Sequence, residues 1–278
     1  PVVPAPVVPA PVAAPVPPAP AVRMPDAAGF HSAWIDQTVP TALLPGETGT
    51  ITLRFRNTGT ETWQAGSPGW QVNLGVVADT SAFAEVGIAV GWLSPNRPAS
   101  MAEDAVPPGG IGTFTFAVRA PPQPGLYRIP LRLVADAVTW LDDQGVFVDV
   151  RSDHGFHSAW VSQTPWPVLR PGEVSTVTIL FRNTGRRSWV RGSSLEQANL
   201  GVLGDGDAGV PLGVDWPTVD RAAVQSEPIV GPGALGTFTF QLRAPIELGS
   251  YVLALRPVID GTTWLEDDGV YLEITVLP

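Results

Sequence analysis

Three histidines, two acidic loops and ten tryptophans are the side chains with which this chain could hold or transform another molecule. A metal site needs three or four converging ligands, yet His31, His154 and His157 belong to no H-x-H or H-E-x-x-H pattern and to no carboxylate-histidine cluster. They are expected to be polar residues near the joint between two domains. Acids gather at Leu141-Asp142-Asp143-Gln144-Gly145 and at Leu265-Glu266-Asp267-Asp268-Gly269. Two carboxylates facing each other across a cleft would act as acid and base in glycoside hydrolysis, and a ring of them would bind calcium. Neighbours on one short loop are not so placed, so these loops are expected to be solvated turns, with calcium as the alternative role. Asp205-Gly206-Asp207 lacks the spacing and closing Glu of a calcium loop. No Gly-x-Ser-x-Gly elbow or phosphate loop occurs, and the absence of Cys removes disulfides, thiolate zinc sites and cysteine nucleophiles. The expectation is a protein without catalysis, metal or cofactor.

The chain repeats itself, and the repeat sorts the aromatic candidates. Gly29-Phe30-His31-Ser32-Ala33-Trp34 returns as Gly155-Phe156-His157-Ser158-Ala159-Trp160. The offset of 126 residues holds to Asn73/Asn199 and becomes 124 from Trp92/Trp216 to Trp140/Trp264. Features present in both copies are expected to serve the fold, whereas features of one copy are where an individual role lies. Trp34, Trp63, Trp92 and Trp140 recur as Trp160, Trp189, Trp216 and Trp264, and most are expected in the core. Trp70 and Trp166 are matched instead by Glu196 and Pro40. These two are the candidates for exposed aromatic contact with a glycan or another subunit, with cover for a loop as the competing role.

The elements that would carry these residues are short antiparallel strands. Ile51, Leu53 and Phe55 alternate with Thr52, Arg54 and Arg56, and Val177, Ile179 and Phe181 repeat the pattern. Pro45-Gly46 and Pro171-Gly172 precede this strand; Asn57-Thr58-Gly59 and Asn183-Thr184-Gly185 end it with residues tolerant of positive φ. Phe114, Phe116 and Val118 form a second alternating strand, repeated by Phe238, Phe240 and Leu242. Pro124-Gly125-Leu126-Tyr127 and Leu248-Gly249-Ser250-Tyr251 deliver a Tyr to the start of a strand, the placement of the tyrosine corner in immunoglobulin-like sandwiches. Asp260-Gly261 reads as a hairpin turn. No helix is predicted. The fold class is all-β: an extended arm over residues 1–26, then two tandem immunoglobulin-like β-sandwiches over 27–151 and 152–278. Phe55, Trp63, Phe114, Phe116 and Tyr127 are expected in one core, and Phe181, Trp189, Phe238, Phe240 and Tyr251 in the other. Only Arg151-Ser152-Asp153-His154-Gly155 separates the last strand of one from Phe156, which limits the pair to end-to-end arrangements.

Net charge is −10, without a single Lys. Residues 27–150 hold 11 acids and 6 Arg, and 151–278 hold 14 acids and 9 Arg, so neither copy offers a basic face for phosphates. Nucleic acid is excluded as a partner. No apolar run approaches the ~20 residues of a membrane helix, and a start at Pro1 without Met reads as a processed chain or part of a longer protein. Nine of the first twenty residues are Pro, which makes polyproline II the default for residues 1–22, with a reach of roughly 70 Å at ~3.1 Å per residue. Its Val residues stand where solvated linkers carry Ser, Thr and charge. Val2, Val3, Pro4, Val7, Val8, Pro9 and Val12 are therefore expected to lie on a neighbouring subunit.

Phe55-Arg56-Asn57-Thr58-Gly59 with Trp63, Pro108-Gly109, and Ala120-Pro121 with Gly125-Leu126-Tyr127, together with their second-copy counterparts, resemble the four-tryptophan (FW) domain. This immunoglobulin-like module occurs in selective-autophagy cargo receptors and widely in bacterial extracellular proteins. The chain departs from it where Trp usually stands four residues before the Asn (Leu53, Ile179), four after the Tyr (Leu131, Leu255), and in the last strand (Phe147, Tyr271). The resemblance implies a non-catalytic, extracellular structural or interaction module of bacterial type. Two functions follow as expectations. One is a self-associating subunit of a cell-surface filament, sheath or lattice joined through the arm; the other is a carbohydrate- or cell-wall-binding module of a larger secreted protein.

Overall fold

The computed structural model describes residues 24–203 and 212–278. The expected arm contacts Val2, Val3, Pro4, Val7, Val8, Pro9 and Val12 lie outside the described residues, as does Asp205-Gly206-Asp207. The described chain is nearly all strand. One turn of α-helix, Ala82–Glu85, departs from the helix-free expectation. It occupies the loop in which the first copy is two residues longer, and Ser81 Oγ donates to Glu85 Oε1 across it (2.5 Å). No described helix is long and apolar enough to cross a membrane.

The chain divides into two compact units. The first holds the described residues up to Pro40 with Thr50–Val118 and Arg128–Asp149; the second holds Thr41–Gly49, Arg119–Tyr127 and Val150–Pro278. In the first copy, a four-stranded sheet runs Ser32–Thr38, Thr48–Asn57, Ile111–Arg119, Ala89–Val90, and a five-stranded sheet is built on Gly125–Ala135 and Val72–Val76. The second copy repeats the first of these sheets as Ser158–Gln163, Val174–Asn183, Leu235–Arg243, Gly213–Val214. Its other sheet is built on Tyr271–Val276, Gly249–Ile259, Ala198–Val202 and Arg221–Val224.

Period-two alternation decides which side of each strand is core. Register sets Val177 opposite Phe240, Ile179 opposite Phe238 and Phe181 opposite Gly236, and these large side chains are buried with Leu200, Leu253, Leu255, Leu272 and Ile274. Burying each such side chain is worth about 1.5–3 kcal/mol. Trp189 fills the space above Gly236, where an added Cβ would sit 2.7 Å from its ring; Trp63 and Gly112 make the same pair in the first copy.

The Asn-Thr-Gly motif has a different cause from the one expected. Neither Asn57 and Gly59 nor Asn183 and Gly185 has positive φ. Gly59 and Gly185 are required because a Cβ would lie 2.0 and 2.3 Å from the carbonyl oxygens of Gly29 and Gly155. The asparagines are buried locks: Asn183 Nδ2 donates to Arg187 O (2.8 Å) and Val230 O (2.9 Å), while its Oδ1 accepts the Gly185 N–H (2.9 Å). Asn57 makes the corresponding bonds to Glu61, Val106 and Gly59. The tyrosine corners are present, with Tyr127 Oη donating to Gln123 O (2.8 Å) and Tyr251 Oη to Glu247 O (3.0 Å). Both tyrosines are half-buried and not in the core as expected, because the hydroxyl must reach backbone at the sandwich corner.

Candidate functional site

The acidic loops are largely exposed, as expected, but their side chains also bond backbone. The Ser32–Thr38 strand ends its sheet, and its outward backbone groups are met by side chains of the loop before the last strand. Asp142 Oδ2 accepts the Ser32 N–H (2.8 Å), Gln144 Oε1 accepts the Trp34 N–H, and Gln37 Nε2 donates to Phe147 O (3.0 Å). In the second copy Glu266 accepts the Ser158 N–H (2.6 Å), Asp268 accepts the Trp160 N–H (2.7 Å), and Gln163 Nε2 donates to Tyr271 O (3.0 Å). Occupied edge groups cannot template another strand, so the loops blunt an edge that would otherwise pair with foreign chain.

The same carboxylates hold the repeated histidines. His31 Nδ1 lies 3.2 Å from both Asp142 oxygens. His157 sits between Glu266, at Nδ1, and Asp153, at Nε2 (3.0 Å). Both ring nitrogens of His157 therefore act as donors, which is the imidazolium form. Burial works against that charge, but the Glu266 hydrogen bond and the charges of Asp153 and Glu266 outweigh it and raise the His157 pKa above its usual value. Burial likewise opposes ionisation of Asp153, and the Gly155 N–H and His157 overcome it to lower that pKa. These groups bond to one another and to backbone. Among the described residues no cluster of His, Asp or Glu is arranged to hold a metal ion.

Among several grooves of similar size in the second unit, one is aromatic and the others are more polar. In the second unit a groove of about 510 Å³ is lined by Trp160, Trp166 and Tyr271, with Gln163, Thr164 and Asp268 beside them. The Trp166 and Tyr271 rings are 5.0 Å apart and tilted by 41°. Trp160, Trp166 and Tyr271 remain 46%, 43% and 43% exposed, which puts three large aromatic side chains on one open surface.

The first copy does not build this groove. Pro40 stands in place of Trp166, and Phe147 in place of Tyr271. The Arg128 guanidinium lies over one face of Phe147, 3.8 Å from the ring centroid, and Asp149 holds it through two bonds of 2.9 Å; the ring is still 39% exposed. In the second copy Val252 replaces Arg128, leaving the Tyr271 ring to face Trp166.

Of the two aromatic candidates, Trp166 is exposed as expected, whereas Trp70 is half-buried against Phe30, ring centroids 6.3 Å apart. Of the eight recurring tryptophans, most of them expected in the core, only Trp63 and Trp189 are buried; Trp92, Trp140, Trp216 and Trp264 are half-buried, and Trp34 and Trp160 are exposed. In register Trp34 and Trp160 sit opposite the buried Phe55 and Phe181, ahead of the bulges at Trp34/Asp36 and Trp160/Ser162, so it is their place on the end strand of the sheet and not a change of face that leaves them exposed. Sequence reasoning also missed Tyr271. Its signal was available: Leu272, Ile274 and Val276 point inward, so Tyr271 must point out.

Fold and site together define an all-β protein of immunoglobulin-like sandwich architecture with an aromatic groove on its second copy. No family model matches the sequence, and no curated protein matches it. Among solved structures it is similar to titin domains Z1Z2 in complex with telethonin, at 10% identity over 88% of this chain and 95% of that one, TM-score 0.29. It is also similar to Salmonella α2-macroglobulin, at 14% identity over 90% of this chain but only 16% of that chain, TM-score 0.28. A third likeness is the sialic acid-binding region of a Streptococcus sanguinis SK1 adhesin, at 10% identity over 90% of this chain and 78% of that one, TM-score 0.26.

Proposed function

We propose that this chain is a non-catalytic, extracellular structural protein, a subunit of a cell-surface filament, sheath or lattice in which the Pro-rich arm contacts a neighbouring subunit. The observation that carries this reading is the open groove of Trp160, Trp166 and Tyr271 in the second copy, where the first copy has Pro40 and Phe147 in place of Trp166 and Tyr271. A surface present in one of two otherwise matched repeats serves a contact, since the fold is satisfied without it. The bonded state of the acidic loops and histidines supports a role without chemistry, because those side chains hold strands together. Membership of the FW type is part of the same proposal, supported by the buried Asn of the Asn-Thr-Gly turn and by the tyrosine corner. Light scattering and electron microscopy of the full chain test the reading: higher oligomers or filaments are expected, and a monodisperse monomer across a wide concentration range would overturn it.

The second reading, a carbohydrate- or cell-wall-binding module, is favoured by one feature of the same groove. Stacked, half-exposed rings beside Gln163 and Asp268 suit the apolar face and hydroxyls of a sugar. Retention of a monomeric chain on glycan or cell-wall resin would support it.

A further inference from the structure

We propose that the groove of Trp160, Trp166 and Tyr271 is the receptor for residues 1–22 of a second copy of this chain. The inference rests on the assembly reading above and deepens it by naming the two surfaces that meet. Prolines recur three residues apart at Pro1/Pro4, Pro6/Pro9, Pro15/Pro18 and Pro17/Pro20. In a polyproline II chain, which turns once every three residues, each pair would lie along one edge with its intervening side chains turned away. Pro-x-x-Pro edges dock between aromatic rings, and their backbone carbonyls, unpaired within the helix, take hydrogen bonds from the receptor. The groove supplies both requirements. Its three rings are about half exposed, and the indole N–H groups of Trp160 and Trp166 have no hydrogen-bond partner among the described residues. Residues 1–22 carry no charge, and the groove's carboxylate, Asp268, already accepts the Trp160 N–H. An uncharged, apolar ligand fits that balance. Each chain has one such arm, and the aromatic groove is built by residues of the second repeat alone. Pairing the arm of one copy with the groove of the next is therefore a head-to-tail contact, which builds rings or filaments.

Two variants test the pairing: the chain of residues 23–278, which keeps the groove and lacks the arm, and the full chain carrying Trp166→Ser. Each alone is expected to be monomeric by light scattering, and an equimolar mixture is expected to form a one-to-one complex. A synthetic peptide of residues 1–22 should quench the tryptophan fluorescence of the armless chain saturably, and Trp166→Ser in that chain should weaken the peptide ~10-fold or more. Tyr271→Ser serves as a second groove variant, and thermal melting verifies that each protein is folded. Full-chain Trp166→Ser and Tyr271→Ser that still polymerise like the parent would overturn the groove as receptor while leaving assembly standing. A full chain that stays monomeric would overturn the assembly reading, and if its armless form nevertheless binds the peptide, each arm fills its own groove and the second-copy pairing fails. Groove-dependent retention on glycan without peptide binding would assign the groove to sugar.

Discussion

Asn183→Ala is expected to be severe, and its size follows from three hydrogen bonds. The amide donates to Arg187 O and Val230 O and accepts from Gly185 N at 2.8–2.9 Å, in a residue with no exposed surface. Truncation strands one N–H and two carbonyls, and each buried group left unsatisfied costs about 1–3 kcal/mol. Taking about 1 for each carbonyl and about 2 for the N–H gives about 4 kcal/mol, a large part of the 5–15 kcal/mol that holds a typical domain. In a unit of this size each kcal/mol lowers the melting point by about 4 °C, so a fall of about 15 °C is expected. Asn183→Asp sharpens the test, since its second oxygen would face two carbonyl oxygens. Burial raises the folded pKa of such an Asp above its unfolded value of about 3.9. The variant's deficit should therefore be smallest below about pH 4 and deepen as pH rises through the folded pKa. Thermal and urea unfolding followed by tryptophan fluorescence read both effects. A loss under about 1 kcal/mol for Asn183→Ala, or Asn183→Asp matching the parent at pH 7, would refute the lock.

Gly236→Ala places a Cβ 2.7 Å from the buried Trp189 ring and should cost about 1–3 kcal/mol, read in the same unfolding curves. His157 has a folded pKa above its unfolded value, so the stability it contributes is fully present below about pH 6.5 and is lost as pH rises through the folded pKa. Melting temperature followed from pH 5.5 to 9 should show that fall, and His157→Gln should flatten it.

The core was legible because it rests on alternation. Ile179, Phe181, Phe238 and Phe240 lie where period two places them, and the tyrosine corner follows from its turn. The groove was half legible: Trp166 stood out by lacking a counterpart, but Trp160 was hidden by its own recurrence and by a place on the end strand of its sheet that no residue pattern announces. The acidic loops are largely exposed as expected, but their bonds to backbone were illegible for a related reason. Glu266 and Asp268 serve the backbone of Ser158 and Trp160, over a hundred residues away in sequence, and local spacing cannot reveal an acceptor's distant donor. Gly59 and Gly185 likewise answer to the carbonyls of Gly29 and Gly155, across a turn whose closeness only the folded chain displays.

Comparison of the repeats suggests a way to close the groove without breaking it. In the first copy Arg128 lies over Phe147 because Asp149 fixes its guanidinium from the neighbouring strand. The second copy keeps an acid at the equivalent position, Glu273, paired in register with Val252, which stands where Arg128 would be. Val252 is 62% exposed, so a longer side chain displaces no core atom. Val252→Arg should therefore adopt the first copy's arrangement, with Glu273 holding the guanidinium over Tyr271. A cation over an exposed ring contributes about 0.5–1 kcal/mol, so stability should hold or rise slightly. The ring face offered to a ligand would be lost, and binding of the peptide of residues 1–22, or of glycan if that is the ligand, should fall. Fluorescence titration of Val252→Arg beside the parent measures this directly. Unchanged binding by a folded Val252→Arg protein would mean that covering one face of Tyr271 is irrelevant to the groove.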